Sequence, residues 1–293
     1  ATSRKKQLEK LQLEDMQVSN RKYPWIDFRQ EREAGNNMLK VENITKTING
    51  ETILNNVSFN INTGEKAVFI SENDLAITTL FKILIGEEQA DSGTFEWGIT
   101  TSRAYFPKDN TKYFENVNLT LIDWLRQYSK DPDETYVRSF LGRMLFSGEE
   151  ARKKAKVLSG GEKVRCMLSK MMLSNANVLL LDNPTDHLDL EAITSLNKSL
   201  ERFDGTILFT THDHEFIQTI ANKIIEITPK GILEKEMEYD DYLNDELKNN
   251  DFKNGYLNEK TILESSLNVA STGLPQRQLT EIFHVSKSTI ARI

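Results

Sequence analysis

The second half of the chain alternates between short apolar runs and helix-like stretches, and this alternation constrains the fold more than any other feature. Residues 178–182 form an all-apolar run that ends in an acid, Val178-Leu179-Leu180-Leu181-Asp182. Helical patterns over about 190–203 and 215–221 are separated by strand-like runs at 206–211 and 223–228. Such alternation places parallel strands in one sheet with helices on its faces. The sequence therefore predicts an α/β fold around a parallel core sheet.

The first half predicts further strands and one helix. Alternating apolar residues from Leu39 lead through a turn at Asn49-Gly50 to a strand over Ile53–Ile61. The apolar strand over 67–70 comes next, and a helix is predicted for about Thr78–Ile85. The section from 118 to 175 then reads as helical, with helices predicted over Leu119–Tyr128, over Glu134–Met144 and from about Gly161.

Length and composition exclude several classes of protein. The 293 residues fit one large α/β domain with appendages, or two modest domains. No apolar run approaches the ~18 residues of a membrane span, so no membrane partner is expected. A single cysteine, Cys166, excludes an internal disulfide and a cysteine-based metal cluster, and a cytoplasmic location is the expectation. The formal net charge of −7 argues against coating by nucleic acid, although a local basic patch remains compatible with RNA.

The junction after the strand over 67–70 lies where many folds carry the phosphate-binding loop G-x-x-x-x-G-K-[ST]. The glycines of that loop free backbone N–H groups, its lysine neutralises phosphates and its hydroxyl holds Mg²⁺. Here Ser71 and Ala76 stand at the glycine positions and Ile77 at the lysine, and only Thr78 keeps the hydroxyl. Taken alone, these residues favour an ordinary strand–turn–helix.

Three further motifs follow in order. Leu158-Ser159-Gly160-Gly161-Glu162 opens a helix with a capping residue and two glycines, which suits an anion but is also a common turn. The run 178–182 ends in Asp182, placed to hold Mg²⁺ through water, and Asn183 follows directly. His212 comes at the end of the next strand.

In this order and spacing the motifs resemble the nucleotide-binding domain of ATP-binding cassette (ABC) proteins. The stretches LSGGEKVRCMLSKMML at 158–173, VLLLDNPTDHLD at 178–189 and FTTHDHEF at 209–216 carry the resemblance, which is greatest to the ABC-F subfamily with two cassettes in one chain. It covers about 38–245. It implies an ABC-type P-loop nucleotide-binding domain with a mixed β subdomain, a parallel core sheet and a helical subdomain.

The resemblance also divides the chain. Residues 1–36 look like the end of the inter-cassette linker, with a helix, and 37–245 form the cassette. A short linker at 246–256 is then followed by a tail at 257–293 that is similar to the helix-turn-helix of DNA-binding proteins, with Pro275 at the first position of a helix.

ATP and Mg²⁺ are the cofactors that the resemblance implies, and it gives each motif a role. The residues that would wrap the ATP phosphates are Ser71, Glu72, Asn73, Asp74, Leu75, Ala76, Ile77, Thr78 and Thr79. Thr78 and Asp182 would hold Mg²⁺, and Asn183 and His212 occupy the catalytic positions. The signature residues, which would act in trans on ATP held by an opposing cassette, are Leu158, Ser159, Gly160, Gly161 and Glu162. Lys108 and Asp189 belong to the loops that couple the sites.

Several residues depart from the family pattern on one side only. Ile77 supplies no cation to the phosphates, and Asn183 stands where an acid polarises the attacking water, although an amide takes no proton near neutral pH. Lys108 replaces the usual glutamine. The chain's own nucleotide-binding side is therefore expected to be impaired, while its signature side is intact.

The leading hypothesis is an ABC-F-type ATP-binding protein that pairs with a second cassette, either the N-terminal half of a parent protein or a second copy. The subfamily implies a role in translation on the ribosome, with rRNA and tRNA as partners. Two alternatives stay open: a catalytically inactive cassette that serves as a binding module, and a DNA-binding regulator that acts through its tail.

Overall fold

The computed structural model of the chain describes residues 22–115, 117–235, 239, 241 and 242. The predicted helix near the N-terminus, the linker at 246–256 and the tail at 257–293 lie outside the described residues. The domain boundaries therefore stay predictions.

The described residues fall into two compact units. The helical unit contains the residues up to Arg29 together with Asp109–Asn175 and Thr185–Phe203. The sheet unit contains Gln30–Lys108, Ala176–Pro184 and the residues from Asp204 onward.

All described strands belong to the sheet unit. In chain order they are β1 (Asn37–Ile48), β2 (Glu51–Asn62), β3 (Lys66–Ser71), β4 (Ser92–Trp97), β5 (Arg103–Phe106), β6 (Val178–Asp182), β7 (Thr206–Thr210), β8 (Lys223–Thr228) and β9 (Gly231–Lys235). The helices are α1 (Asp74–Ile85), α2 (Leu121–Arg126), α3 (Glu134–Arg143), α4 (Gly160–Ser174), α5 (Leu190–Arg202) and α6 (His214–Ile220). The first and last of these helices lie in the sheet unit and the other four in the helical unit.

The strands form two sheets, as the fold class requires. One is antiparallel with the order β2-β1-β4, and the other has the order β5-β6-β7-β3-β8-β9. In the larger sheet the neighbouring strands β5, β6, β7, β3 and β8 run parallel. Strand β9 pairs antiparallel with β8 at the edge. The predicted α/β fold with a parallel core sheet is thereby confirmed.

The centre of the parallel sheet is fully buried. All five residues of β6 are buried, which explains why this strand shows no polar alternation. Phe69 of β3 makes edge contacts with Phe59 at 5.5 Å and with Phe81 of α1 at 5.3 Å between ring centroids. These apolar contacts fix α1 against β3, and with it the loop between them.

The sequence predicted buried elements better than edges. The bounds of β6 and β8 agree with the prediction to the residue, and the hairpin turn at Asn49-Gly50 has the expected positive φ angles of 52° and 86°. Strands β4, β5 and β9 were not predicted, because they are short and expose part of their length.

The predicted start of α1 at Thr78 is wrong. The helix begins at Asp74 because Asn73 caps it: the Asn73 Oδ1 accepts a hydrogen bond of 3.0 Å from the backbone N–H of Leu75. The helix therefore contains four residues that were expected to lie in the loop.

The helical unit includes an extended segment at its start. In residues 22–29 every second side chain is buried, namely Pro24, Ile26 and Phe28. No helix forms in this segment. The backbone N–H of Trp25 donates to the Arg143 carbonyl oxygen at 2.8 Å, and the guanidinium carbon of Arg143 lies 4.2 Å from the centroid of the indole. This part of the predicted linker is thus packed onto α3.

Within the described residues, no helix is both long enough and apolar enough to span a bilayer.

Candidate functional site

The predicted nucleotide-facing residues follow the carboxyl ends of three neighbouring parallel strands. Ser71 ends β3, Asp182 ends β6, and His212 lies two residues beyond the end of β7. The carboxyl ends of parallel strands meet at one edge of a sheet, where α/β folds bind ligands. The sheet unit therefore places these residues at the same edge of the sheet.

The connection between β3 and α1 is too short and too well bonded to act as a phosphate cradle. Only Glu72 and Asn73 separate the two elements. The Ser71 hydroxyl donates to the Ile227 carbonyl at 3.0 Å, and the N–H of Ala76 donates to the Asn73 carbonyl at 2.9 Å. The Leu75 N–H is used by the cap as well, so two backbone donors at the start of α1 already have acceptors.

The side chains along α1 complete this picture. Ile77, at the lysine position, is completely buried in the hydrophobic core, and Ala76 and Thr79 are buried beside it. Leu75, by contrast, is 45% exposed. Position 77 therefore faces the core, and it offers no cation to a phosphate.

The carboxylate of Asp74 makes the most distinctive contacts of the site. Its Oδ2 accepts a hydrogen bond of 2.8 Å from the Lys108 ammonium and lies 3.3 Å from Nε2 of His212. An ionised carboxylate only accepts hydrogen bonds, so Nε2 carries the proton in this contact. The hydrogen bond from His212 and then that from Lys108 hold the pKa of Asp74 well below its usual value, against the opposing effect of burial.

The two predicted Mg²⁺ ligands contact each other. The Thr78 hydroxyl donates to Oδ2 of Asp182 at 2.7 Å, while the buried Oδ1 has no hydrogen-bond partner among the described residues. Burial raises the pKa of Asp182, and the hydrogen bond from Thr78 opposes that shift. Hydroxyl and carboxylate oxygens suit Mg²⁺. Among the described residues, no group of three or more His, Cys, Asp or Glu side chains could hold a metal ion.

Asn183 directly follows this pair. Its backbone N–H donates to the Thr210 carbonyl at 3.0 Å, and its φ of 50° is one that asparagine tolerates. The buried side-chain oxygen Oδ1 has no partner in the described part of the chain. An amide takes no proton near neutral pH. Together with the Asp74 carboxylate and the isoleucine at position 77, Asn183 sets this face apart from the usual triphosphate site.

The signature residues lie at the N-terminus of α4 in the helical unit. Ser159 caps the helix: its N–H donates to Glu162 Oε2 at 2.8 Å, and its hydroxyl accepts from the Glu162 N–H at 3.4 Å. Lys153 fixes the same glutamate through a contact of 2.9 Å. Leu158 is buried, whereas Ser159 and Gly160 are exposed. The helix thus presents a preorganised and accessible N-terminus.

The signature glycines lie against His187, and the closer of the two contacts requires a glycine at position 161. A Cβ atom on Gly160 would lie 3.4 Å from the His187 ring, and one on Gly161 would lie 2.9 Å from the His187 carbonyl oxygen. His187 itself has a positive φ of 65°. Close by in the sequence, Asp189 caps α5 through a bond of 2.8 Å from the Ala192 N–H. The motif around His187 therefore packs directly on the signature turn.

Replacing Gly161 with alanine is expected to lower the free energy of unfolding by about 1–2 kcal/mol, because the new Cβ would force the His187 backbone to move. Gly142 offers a matched control, since it also lies in a helix and a Cβ there would meet nothing within 4 Å. Gly142→Ala is expected to gain up to about 1 kcal/mol from helix propensity. Urea unfolding of the two variants measures the contrast, and equal stabilities would refute the contact.

The chain is similar to a known protein family and to several known proteins. Residues 54–186 match the ABC transporter family model. The ABC transporter ATP-binding protein YkpA of Bacillus subtilis is 64% identical over 83% of the chain, which covers 45% of that protein. ABC transporter F family member 2 of Arabidopsis thaliana is 29% identical over 83% of the chain and 36% of its own length. The chain therefore spans less than half the length of these relatives.

Solved structures show the same fold at low sequence identity. The ATP-binding subunit of an ABC transporter superposes with a TM-score of 0.57 and 20% identity, covering 71% of this chain and 92% of that one. At this level of identity the likeness establishes the fold alone.

Proposed function

We propose that the chain acts as the signature-presenting cassette of an ABC-F-type pair, since residues 54–186 match the ABC transporter family model. The exposed and capped N-terminus of α4 carries this proposal. In it, Ser159 and Gly160 close on ATP that a second cassette holds in its own phosphate-binding loop. A helix N-terminus favours such an anion through the dipole of the helix.

The length of the relatives supports a second cassette as the partner. The chain covers 45% of YkpA and 40% of the Uup protein of a Buchnera aphidicola strain, to which it is 30% identical. The remainder of either protein is long enough for another cassette of this size. The partner would be such a half or a second copy of this chain.

The cellular setting that we propose is the ribosome. The relatives include F family members from Arabidopsis, and the resemblance to ABC-F proteins implies a translation factor that contacts rRNA and tRNA. The basic residues near the start of the chain, Arg4, Lys5, Lys6, Arg21 and Lys22, would belong to the arm that reaches the RNA.

The isolated chain is expected to hydrolyse ATP at the background rate. Its own side lacks a phosphate-binding lysine at Ile77 and a base at Asn183, and loss of a general base alone lowers turnover by about 10²–10⁴-fold. Phosphate release with Mg²⁺ is to be measured against an ABC cassette that carries the complete G-x-x-x-x-G-K-[ST] loop.

Thr78→Ala provides the control for this measurement. The variant should release phosphate no more slowly than the wild-type chain, because the Thr78 hydroxyl already bonds Asp182. Robust Mg²⁺-dependent turnover that Thr78→Ala abolishes would contradict the proposal.

A further inference from the structure

We propose that Asp74 is an internal substitute for a phosphate group, which keeps Lys108 and His212 in their ligand-engaged arrangement without nucleotide. The inference rests on the proposed function only in taking this face as a degenerate phosphate-binding site. As a consequence, the Asp74 carboxylate occupies the position that a phosphate would take at this face.

The first support is the chemical nature of the contact. Lys108 donates to the Asp74 carboxylate at 2.8 Å, and His212 lies at 3.3 Å from the same oxygen. A carboxylate oxygen and a phosphate oxygen are both anionic acceptors, and both take charge-assisted hydrogen bonds. One oxygen atom therefore satisfies two donors from two different strand ends.

The second support is the position of Asp74 in the chain. It is the first residue of α1, immediately after the cap formed by Asn73. An anion at a helix N-terminus interacts favourably with the helix dipole, which is the interaction a bound phosphate would otherwise make. The side chain is thus attached to the element that would bind the phosphate.

The residues around Asp74 also leave little to attract a triphosphate. Thr78 is bonded to Asp182, and Ile77 is buried in the core. Asp74 and Asp182 together place two carboxylates on this face. A triphosphate would meet these negative charges without a lysine at position 77 to offset them.

The binding of inorganic phosphate to the full chain tests the proposal. Asp74→Ala removes the carboxylate that competes with phosphate for Lys108 and His212, so phosphate affinity measured by calorimetry should rise at least about tenfold over wild type. Asp204→Ala removes an exposed carboxylate from the same unit and should leave the affinity at the wild-type level. The double variant Asp74→Ala/Lys108→Ala should lose the gain.

A wild-type chain that binds phosphate as tightly as Asp74→Ala would overturn the proposal. A folded Asp74→Ala chain with no gain over wild type would overturn it as well. Either result would leave the pairing role of the signature helix untouched, because Ser159 and Gly160 belong to the helical unit.

A second measurement does not depend on the folding of a variant. Carbodiimide joins a carboxylate and an amine that are in direct contact, so the wild-type chain should yield a cross-linked peptide that joins Asp74 to Lys108. The yield should be unchanged by millimolar ATP and Mg²⁺. Absence of this peptide, or its loss when ATP is added, would mean that the carboxylate does not occupy the phosphate position.

Discussion

Replacing Ile77 with lysine is expected to lower the free energy of unfolding by about 3–5 kcal/mol, rather than to restore a phosphate-binding loop. The Ile77 side chain is completely buried among apolar residues of α1, β3 and β6. A lysine there would bury an unpaired ammonium group or break the packing of the helix. Domains of ordinary stability would lose a large part of their stability through this one change.

Ile77→Met is the matched control, because it keeps the volume and the apolar character and should cost less than about 1.5 kcal/mol. Urea unfolding followed by circular dichroism measures both variants. Equal midpoints for Ile77→Lys and wild type would show that the side chain at position 77 reaches solvent. The first turn of α1 would then have to open into a loop, and our description of this face would fail.

Replacing Ser159 with arginine is expected to weaken ATP-driven association with an intact cassette by about two orders of magnitude or more. Ser159 is exposed at the N-terminus of α4, where the proposal places the phosphates held by the partner cassette. The arginine would add bulk at that contact, and losing the serine cap would cost the chain only about 1 kcal/mol of stability. Most of the effect should therefore appear in association rather than in folding.

Ser139→Arg controls for the new charge and bulk. Ser139 is an exposed serine on α3 of the same helical unit, outside the signature motif. It should leave association at the wild-type level. If both arginine variants weakened association equally, the effect would be a general one of surface charge.

The single cysteine gives a further check on the helical unit. Cys166 is fully buried in α4, and burial raises the pKa of its thiol well above the usual value. The folded chain should therefore react with a thiol reagent only as fast as it unfolds, and urea should accelerate the reaction. Rapid labelling without denaturant would mean that α4 is not packed as described.

Local patterns predicted the elements whose residues carry their own signals. The buried strand β6 was found from its apolar run, and the helix that begins near Gly161 from a serine cap and two glycines. The edge strands β4 and β9 were not predicted from the sequence. Their residues are exposed or partly exposed, and each strand pairs with only one neighbour. Patterns of hydrophobicity report burial, and edges have little of it.

Contacts between distant parts of the chain were beyond such patterns. The motifs identify Asp74 only as one residue of a degenerate phosphate-binding loop. Its contact with His212 could not be predicted, because the two residues are 138 positions apart in the chain. The Asn73-Asp74 pair did carry a signal, since asparagine before an acid is typical of a helix start. The spacing of the phosphate-loop motif instead predicted a loop up to Ile77 and a helix from Thr78.

Our central claim is that the chain pairs through its signature helix and not through its own nucleotide-binding side. The most direct test is ATP-dependent association with an intact cassette, measured in parallel for wild type, Thr78→Ala and Ser159→Arg. Sedimentation velocity with ATP and Mg²⁺ reports the fraction of paired chains, and circular dichroism checks that each variant is folded. We expect Thr78→Ala to pair within about twofold of wild type, because our proposal assigns pairing to the signature helix and not to the site that contains Thr78. Ser159→Arg should show no nucleotide-driven pairing. Equal losses in the two variants would contradict the account and would make both nucleotide sites active.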